Sequence, residues 1–304
     1  MGSLKGKKMR GGKQSRLFKL IPKFIRKPIQ DNRTKNIILE YYNGISKTEL
    51  LDEEIEALNY LKENKLSVFP YPFQKDYSKE SITVLKDDKL KLKYVLIDGK
   101  RLYFKRTSST RGIKRNYNYL KIEQDLNSPH RYLTEKFAIR EEDILVDVGA
   151  AEGNLALSVI EKVKKVYLFE TDKKWIEALE ATFAPWKDKV EIINKFVSNK
   201  NDEHNVSLSQ FFKDKEMFSF LKIDAEGSDA EVLEGGEELL LAKSNLKIAL
   251  CCYHRPLDGK KFSAYLNEKG FTTSFSKGLM IYDEPKTFSP PYLRKGVLRA
   301  VKKG

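Results

Sequence analysis

From Ile144 onward the chain alternates short apolar runs with segments of helical periodicity, and this pattern limits its fold more than any other feature. Ile144-Leu145-Val146-Asp147-Val148 reads as a continuous buried strand, followed by a helix over Asn154 to Lys164. The pattern repeats as a strand over Val166 to Glu170, a helix over Lys173 to Phe183 and a strand over Val190 to Val197. It continues with a strand at Phe218 to Asp224, a helix at Ala230 to Ala242 and a strand at Leu246 to Tyr253. A helix over Lys260 to Lys269, closed by Gly270, comes next. Strands that are apolar throughout must be covered on both faces, which a mainly parallel sheet with helices on either side achieves. Phe271 to Phe275 and Leu279 to Tyr282 are expected to pair as a final hairpin.

Upstream, Ser46 to Lys65 has the spacing of an amphipathic surface helix. Lys91 to Asp98 and Arg101 to Arg106 read as two strands joined through Asp98-Gly99, a hairpin signal. Asn116 to Tyr132 reads as a helix and a loop. The region from Asp31 to about Arg140 is therefore helix plus hairpin, either packed onto the sheet or standing as a small separate domain.

Charge is unevenly placed. The chain of 304 residues carries a net charge of +14, yet Met1 to Gln30 holds 10 Lys and Arg with no acid, and Pro285 to Gly304 holds 6 with no acid. That leaves 41 basic against 43 acidic residues between them. A folded nucleic-acid reader usually keeps its basic patch on the domain itself, so nucleic acid is not the expected partner. Both ends read as basic tails, with Pro22 and Pro28 expected to interrupt any long helix in the first. Leu17 to Ile29 mixes apolar and basic residues as a membrane-surface segment does. No apolar run approaches the ~18 residues needed to span a bilayer. The only two cysteines are adjacent, Cys251 and Cys252, so no disulfide framework exists. The expected location is the cytoplasm, with reversible contact at the inner face of the membrane.

The first strand runs into Gly149-Ala150-Ala151-Glu152-Gly153-Asn154. Two glycines let backbone pass close to a ligand, at the carboxyl end of a strand where open α/β sheets bind ligands. Asp147 ends the strand, and Glu170 sits at the tip of the second, where a carboxylate accepts hydrogen bonds from ribose hydroxyls. The missing third glycine of the dinucleotide motif argues against NAD and for a nucleoside with a short charged tail, such as S-adenosylmethionine. The fourth strand leads into Asp224-Ala225-Glu226-Gly227, with Ser228 and Asp229 read as helix-capping residues.

DVGAAEGN (Asp147 to Asn154), Phe169-Glu170 and KIDAEGSDAEVLEGG (Lys222 to Gly236) occur in this order, and with them the chain resembles the FkbM family of methyltransferases over about Asp143 to Asp283. The resemblance implies an α/β fold with the class I methyltransferase (Rossmann-like) sheet, helices on both faces and an N-terminal α+β extension. It implies S-adenosyl-L-methionine as cofactor and methyl transfer to oxygen. Asp147, Gly149, Ala150, Gly153, Asn154 and Glu170 are the implied cofactor contacts, with Asp224 and Glu226 at the active centre. Ser209 stands where an acid is usual in the family.

The expected organisation is a basic flexible tail (1–30), a helix and hairpin region (31–140), a methyltransferase domain (141–284) and a basic C-terminal tail (285–304). A hydroxyl acceptor must lose its proton, so a base is expected among Asp224, Glu226 and His254, with His130 a weaker alternative. No metal is assigned. The expected acceptor is a hydroxyl of a sugar, glycan or related metabolite. The alternatives are an RNA methyltransferase gripping through the basic tails and a cofactor-binding module without catalysis.

Overall fold

The computed structural model describes residues 23–303. Seven strands form the central sheet: β1 (Ile144–Val148), β2 (Lys165–Phe169), β3 (Val190–Ile193), β4 (Phe220–Ile223), β5 (Leu246–Cys251), β6 (Thr272–Phe275) and β7 (Val297–Lys302). Their order across the sheet is 3-2-1-4-5-7-6. β1 to β5 pair in parallel, and β7 runs antiparallel to both β5 and β6. This is the class I methyltransferase arrangement, and the parallel strands are apolar because helices cover them on both sides.

Two expectations fail here. Thr272–Phe275 does not pair with the Leu279 to Tyr282 segment. It pairs with Val297–Lys302, while Met280–Ile281 pairs with Leu293–Arg294. The last residues are accordingly no tail, because β7 lies between β5 and β6 with Val297, Leu298 and Ala300 fully buried. Its cations are spent inside the molecule. Arg299 donates to the Arg131 and Tyr132 carbonyls, and Lys302 Nζ donates to those of Leu240 and Leu241. Arg294, 4% exposed, donates to the carbonyls of Tyr253, His254 and Thr287.

Side chains alternate across the sheet. Leu145 belongs to one apolar cluster, whereas Ile144, Val146 and Val148 belong to the cluster on the opposite face. The first cluster also takes in Ile38, Phe69, Phe104 and Ile113, so the N-terminal region shares the sheet's own core rather than forming a separate unit. Helix α1 (Lys23–Asn43) runs through Pro28, contrary to the expected break and to the expected tail over residues 23–30. The missing N–H falls in the second turn and forfeits a single intrahelical bond. Residues 1–22, which hold most of the expected basic arm, lie outside the described residues.

After α2 (Asp52–Glu63), the strands Lys93–Ile97 and Lys100–Tyr103 form the hairpin, with Asp98 and Gly99 left-handed at φ 49° and 79°. Helix α3 (Thr110–Glu123) starts earlier than the sequence pattern implied, because the Ser109 side chain accepts the Gly112 N–H as an N-cap. Helices α4 (Asn154–Val159), α5 (Lys173–Phe183), α6 (Asp229–Gly235) and α7 (Asp258–Glu268) belong to the sheet domain. No helix among the described residues is long and apolar enough to cross a membrane.

Candidate active site

The site lies at the carboxyl ends of β1, β2 and β4. Gly149 has φ +75°, and a Cβ there would stand 2.1 Å from the Asp224 carbonyl oxygen. The β1 and β4 loops thus touch at a point where only glycine fits. On either side of this contact lies a cavity. The larger, of about 630 Å³, is bounded by α3 and by residues 149–152 and 154–155, with Asp147, Asp224, Lys222 and Tyr132 also lining it. The smaller, of about 170 Å³, is bounded by Gly149, Glu170, Thr171, Phe196, Asp224 and Glu226.

Each expected site residue has a definite place. Asp147, Gly149, Ala150, Asn154 and Asp224 line the larger cavity, and Glu170 and Glu226 line the smaller. Glu170 also holds the loop: its carboxylate accepts the N–H groups of Ala151, Thr171 and Asp172 at 2.7–2.9 Å. Gly153 borders neither cavity. A Cβ on it would meet Phe183 at 2.7 Å and Leu179 at 2.8 Å, and its φ is +79°. Its glycine serves packing against α5 and a left-handed turn, so substitution there would disturb the fold rather than crowd a ligand.

Lys222, missed in the sequence reading, is the charge at the centre. It is 4% exposed in an otherwise apolar strand, a position where a lysine requires partners. Its Nζ lies 2.9 Å from Asp147 Oδ1 and donates to the Gly149 carbonyl at 2.7 Å. Burial pulls its pKa down, but Asp147 and Asp224 more than offset this and keep it charged.

Asp224 accepts from Tyr132 Oη at 3.2 Å and from Tyr253 Oη at 3.4 Å. His254 Nε2 stands 3.2 Å away and His130 Nε2 3.9 Å. Burial pushes the Asp224 carboxyl up, yet His254, Lys222 and His130 hold it far below the usual range. His254 is 2% exposed behind Asp224, and its Nδ1 lies 2.9 Å from Asp229 Oδ2. Burial lowers its pKa, but the two carboxylates outweigh that and push it up to about 10. A histidine so held is an imidazolium at neutral pH and has no lone pair to take a proton. That charge does not suit the expected base; the imidazole instead sits between the Asp224 and Asp229 carboxylates. Asp229, expected only as a cap, also accepts the N–H groups of Ala225 and Gly227 and so builds the loop.

His130 is the opposite case. Buried at 3% exposure, it is pushed down to about 4, mainly by desolvation, and stays neutral. Its Nε2 lies 3.3 Å from Tyr253 Oη. Two further acids face the larger cavity. Burial pushes Glu152 up to about 7, and burial with the charges of Glu152 and Asp224 raises Glu123 well above its ordinary value. Such acids favour a cation among them. His130, Asp224 and Cys251 place ligand atoms within 4.8 Å of one another. Burial raises the Cys251 thiol well above its ordinary value.

The charge of His254 has a consequence for stability. Its folded pKa of about 10 lies above the ordinary 6.5, so its contribution is complete below 6.5 and is lost as pH rises toward about 10. Denaturant titrations should show His254→Gln flattening the stability profile in that window. An unchanged slope would mean the imidazole is neutral.

Residues 188–273 match the family model described as the methyltransferase FkbM domain. The match covers 86 of the 304 residues. The cofactor of such a domain is S-adenosylmethionine. A structure of FkbM methyltransferase from Methylobacillus flagellatus is similar at 16% identity and TM-score 0.45, over 60% of this chain and 50% of that one. This chain thus spans about half the length of that protein. An rRNA methylase from Streptococcus thermophilus is similar at 16% identity and TM-score 0.38, over 55% and 90%. A putative tRNA (m1A22) methyltransferase from Streptococcus pneumoniae, in complex with S-adenosyl-L-methionine, is similar at 17% identity and TM-score 0.37, over 54% and 68%. Among curated proteins none matches the sequence. At these scores the structural likenesses carry no assignment.

The residues present fit the cofactor. Glu170 offers carboxylate lone pairs to ribose hydroxyls beside the smaller cavity, and Glu123 and Glu152 suit an ammonium or a sulfonium in the larger.

Proposed function

We propose that this chain is an S-adenosylmethionine-dependent O-methyltransferase acting on a hydroxyl of a sugar, glycan or related metabolite, in the cytoplasm. The observation that carries the reading is Asp224, a carboxylate ringed by Tyr132, Tyr253 and two histidines at the strand ends. Substrates of open α/β sheets meet their cofactors there. When bound, S-adenosylmethionine supplies a methyl group on a sulfonium that leaves as a neutral thioether. This chain's residues orient an acceptor oxygen and take its proton. Placement of the reacting atoms about 3 Å apart provides much of the rate. Neutral His130 is the proton acceptor, Asp224 steadies the charge that then forms on it, and His254 with Asp229 holds Asp224 in place. Glu226, exposed at φ +51° near the Tyr282 hydroxyl, stays at the rim. The basic N-terminal arm adds reversible contact with an anionic membrane surface, where each Lys or Arg contributes about 1 kcal/mol.

Incubation with labelled donor and fractionated glycans should place label on carbohydrate hydroxyls, read by mass spectrometry. Label confined to RNA or protein would end the substrate claim. His130→Ala should lower kcat by about 10²–10⁴-fold with cofactor affinity retained. A drop below about threefold would move the base to Glu226, since general-base loss is normally far larger.

A further inference from the structure

One wall of the larger cavity comes from outside the methyltransferase sheet. Gly112, Arg115, Asn116, Tyr119 and Glu123 of α3 all line it. Their spacing of 3, 4, 7 and 11 residues from Gly112 puts them on one helical face. This face is graded in charge. Arg115 and Glu123 lie eight residues apart, about 12 Å along the axis at 1.5 Å per residue. The acidic end continues across the cavity into Glu152 and Asp224.

The cations bordering the cavity are not equivalent. Lys222 is committed to Asp147 and to the Gly149 carbonyl. Lys105 is committed to Asp172 at 2.6 Å and lies over the Trp175 ring at 4.4 Å. Arg115 is exposed at the lip and has no hydrogen bond or ion pair with any described residue, although it borders a cavity rich in carboxylates. A guanidinium matches a carboxylate in a planar, two-point contact.

We propose that Arg115 is a carboxylate clamp for the amino-acid tail of the methyl donor, so that the N-terminal region completes the cofactor site. This rests on the reading of the cavity as an S-adenosylmethionine site. The tail carries a carboxylate and an ammonium on one carbon, with the sulfonium farther along. Arg115 takes the carboxylate, Asn116 beside it offers a side-chain amide, and the cationic groups face Glu123, Glu152 and Asp224. The gradient along α3 thereby sets the direction in which the tail enters.

Calorimetry on the full chain tests this with two probes. S-adenosylhomocysteine retains the amino-acid tail, whereas 5′-methylthioadenosine keeps the nucleoside and thioether without it. Arg115→Ala should weaken S-adenosylhomocysteine binding about tenfold or more, the loss expected of a charge-assisted hydrogen bond, and change methylthioadenosine binding less than about twofold. Arg115→Lys should recover part of the loss. Equal weakening of both probes, or of neither, overturns the clamp. Failure of the unaltered chain to bind either probe would instead overturn the cofactor reading. Because Arg115 is exposed, its replacement leaves the core packing untouched, and a matching thermal transition in both proteins confirms this.

Discussion

Asp224→Asn is expected to lower methyl transfer by about 10²–10⁴-fold, the scale on which acid–base machinery acts. The exchange keeps the shape of the side chain and removes its charge. Tyr132 and Tyr253 donate to different oxygens of Asp224, so only one of them keeps its acceptor, and His130 loses the carboxylate that steadies its protonated form. His254 is left with Asp229 alone, so its pKa falls from about 10. Taking one partner from a buried charged group typically costs about 3–5 kcal/mol, so the variant should also melt earlier. Turnover measured well below its melting temperature, together with the imidazole titration of His254 by NMR, separates the two effects. Less than about tenfold loss of turnover would remove Asp224 from the proton-transfer machinery.

Removal of residues 285–304 should leave a chain that does not fold cooperatively. A dispensable tail would leave the melting transition unchanged. β7 instead bonds to β5 along Leu246 to Cys251 and to β6 along Thr272 to Phe275. Its loss opens two strand edges inside the sheet and empties the positions of Val297, Leu298 and Ala300. It also strands the carbonyls that Arg294 and Arg299 satisfy. Core cavities and unpaired buried polar groups are the mechanisms behind the largest losses of stability. Circular dichroism of the shortened chain should show no sharp thermal transition. A transition near that of the full chain would contradict the placement of β7.

What could be read from residues alone followed from local pattern. The apolar runs at β1, β2, β4 and β5, the Gly149 turn and the acid at the tip of β2 are written within a few neighbouring positions. Backbone geometry and burial on both faces constrain them there. The N-cap at Ser109 was equally local, yet it escaped notice because Gly112 and Arg115 obscure the apolar period of α3. Other features depend on partners far along the chain. Arg299 and Lys302 read as solvent-exposed tail because the carbonyls that absorb them belong to residues 131–132 and 240–241. Gly153 was read as room for a ligand, whereas its neighbours are Phe183 and Leu179 on α5. His254 was legible as a histidine near the site but not as a cation, since its charge depends on Asp229 and Asp224 arriving on either side of it. Residue types and their local order thus determined the sheet, the cofactor loop and the acids at the strand ends. Protonation states, the strand between β5 and β6, and the α3 wall were decided only by tertiary structure, because burial and charge pairing act through space rather than along the chain.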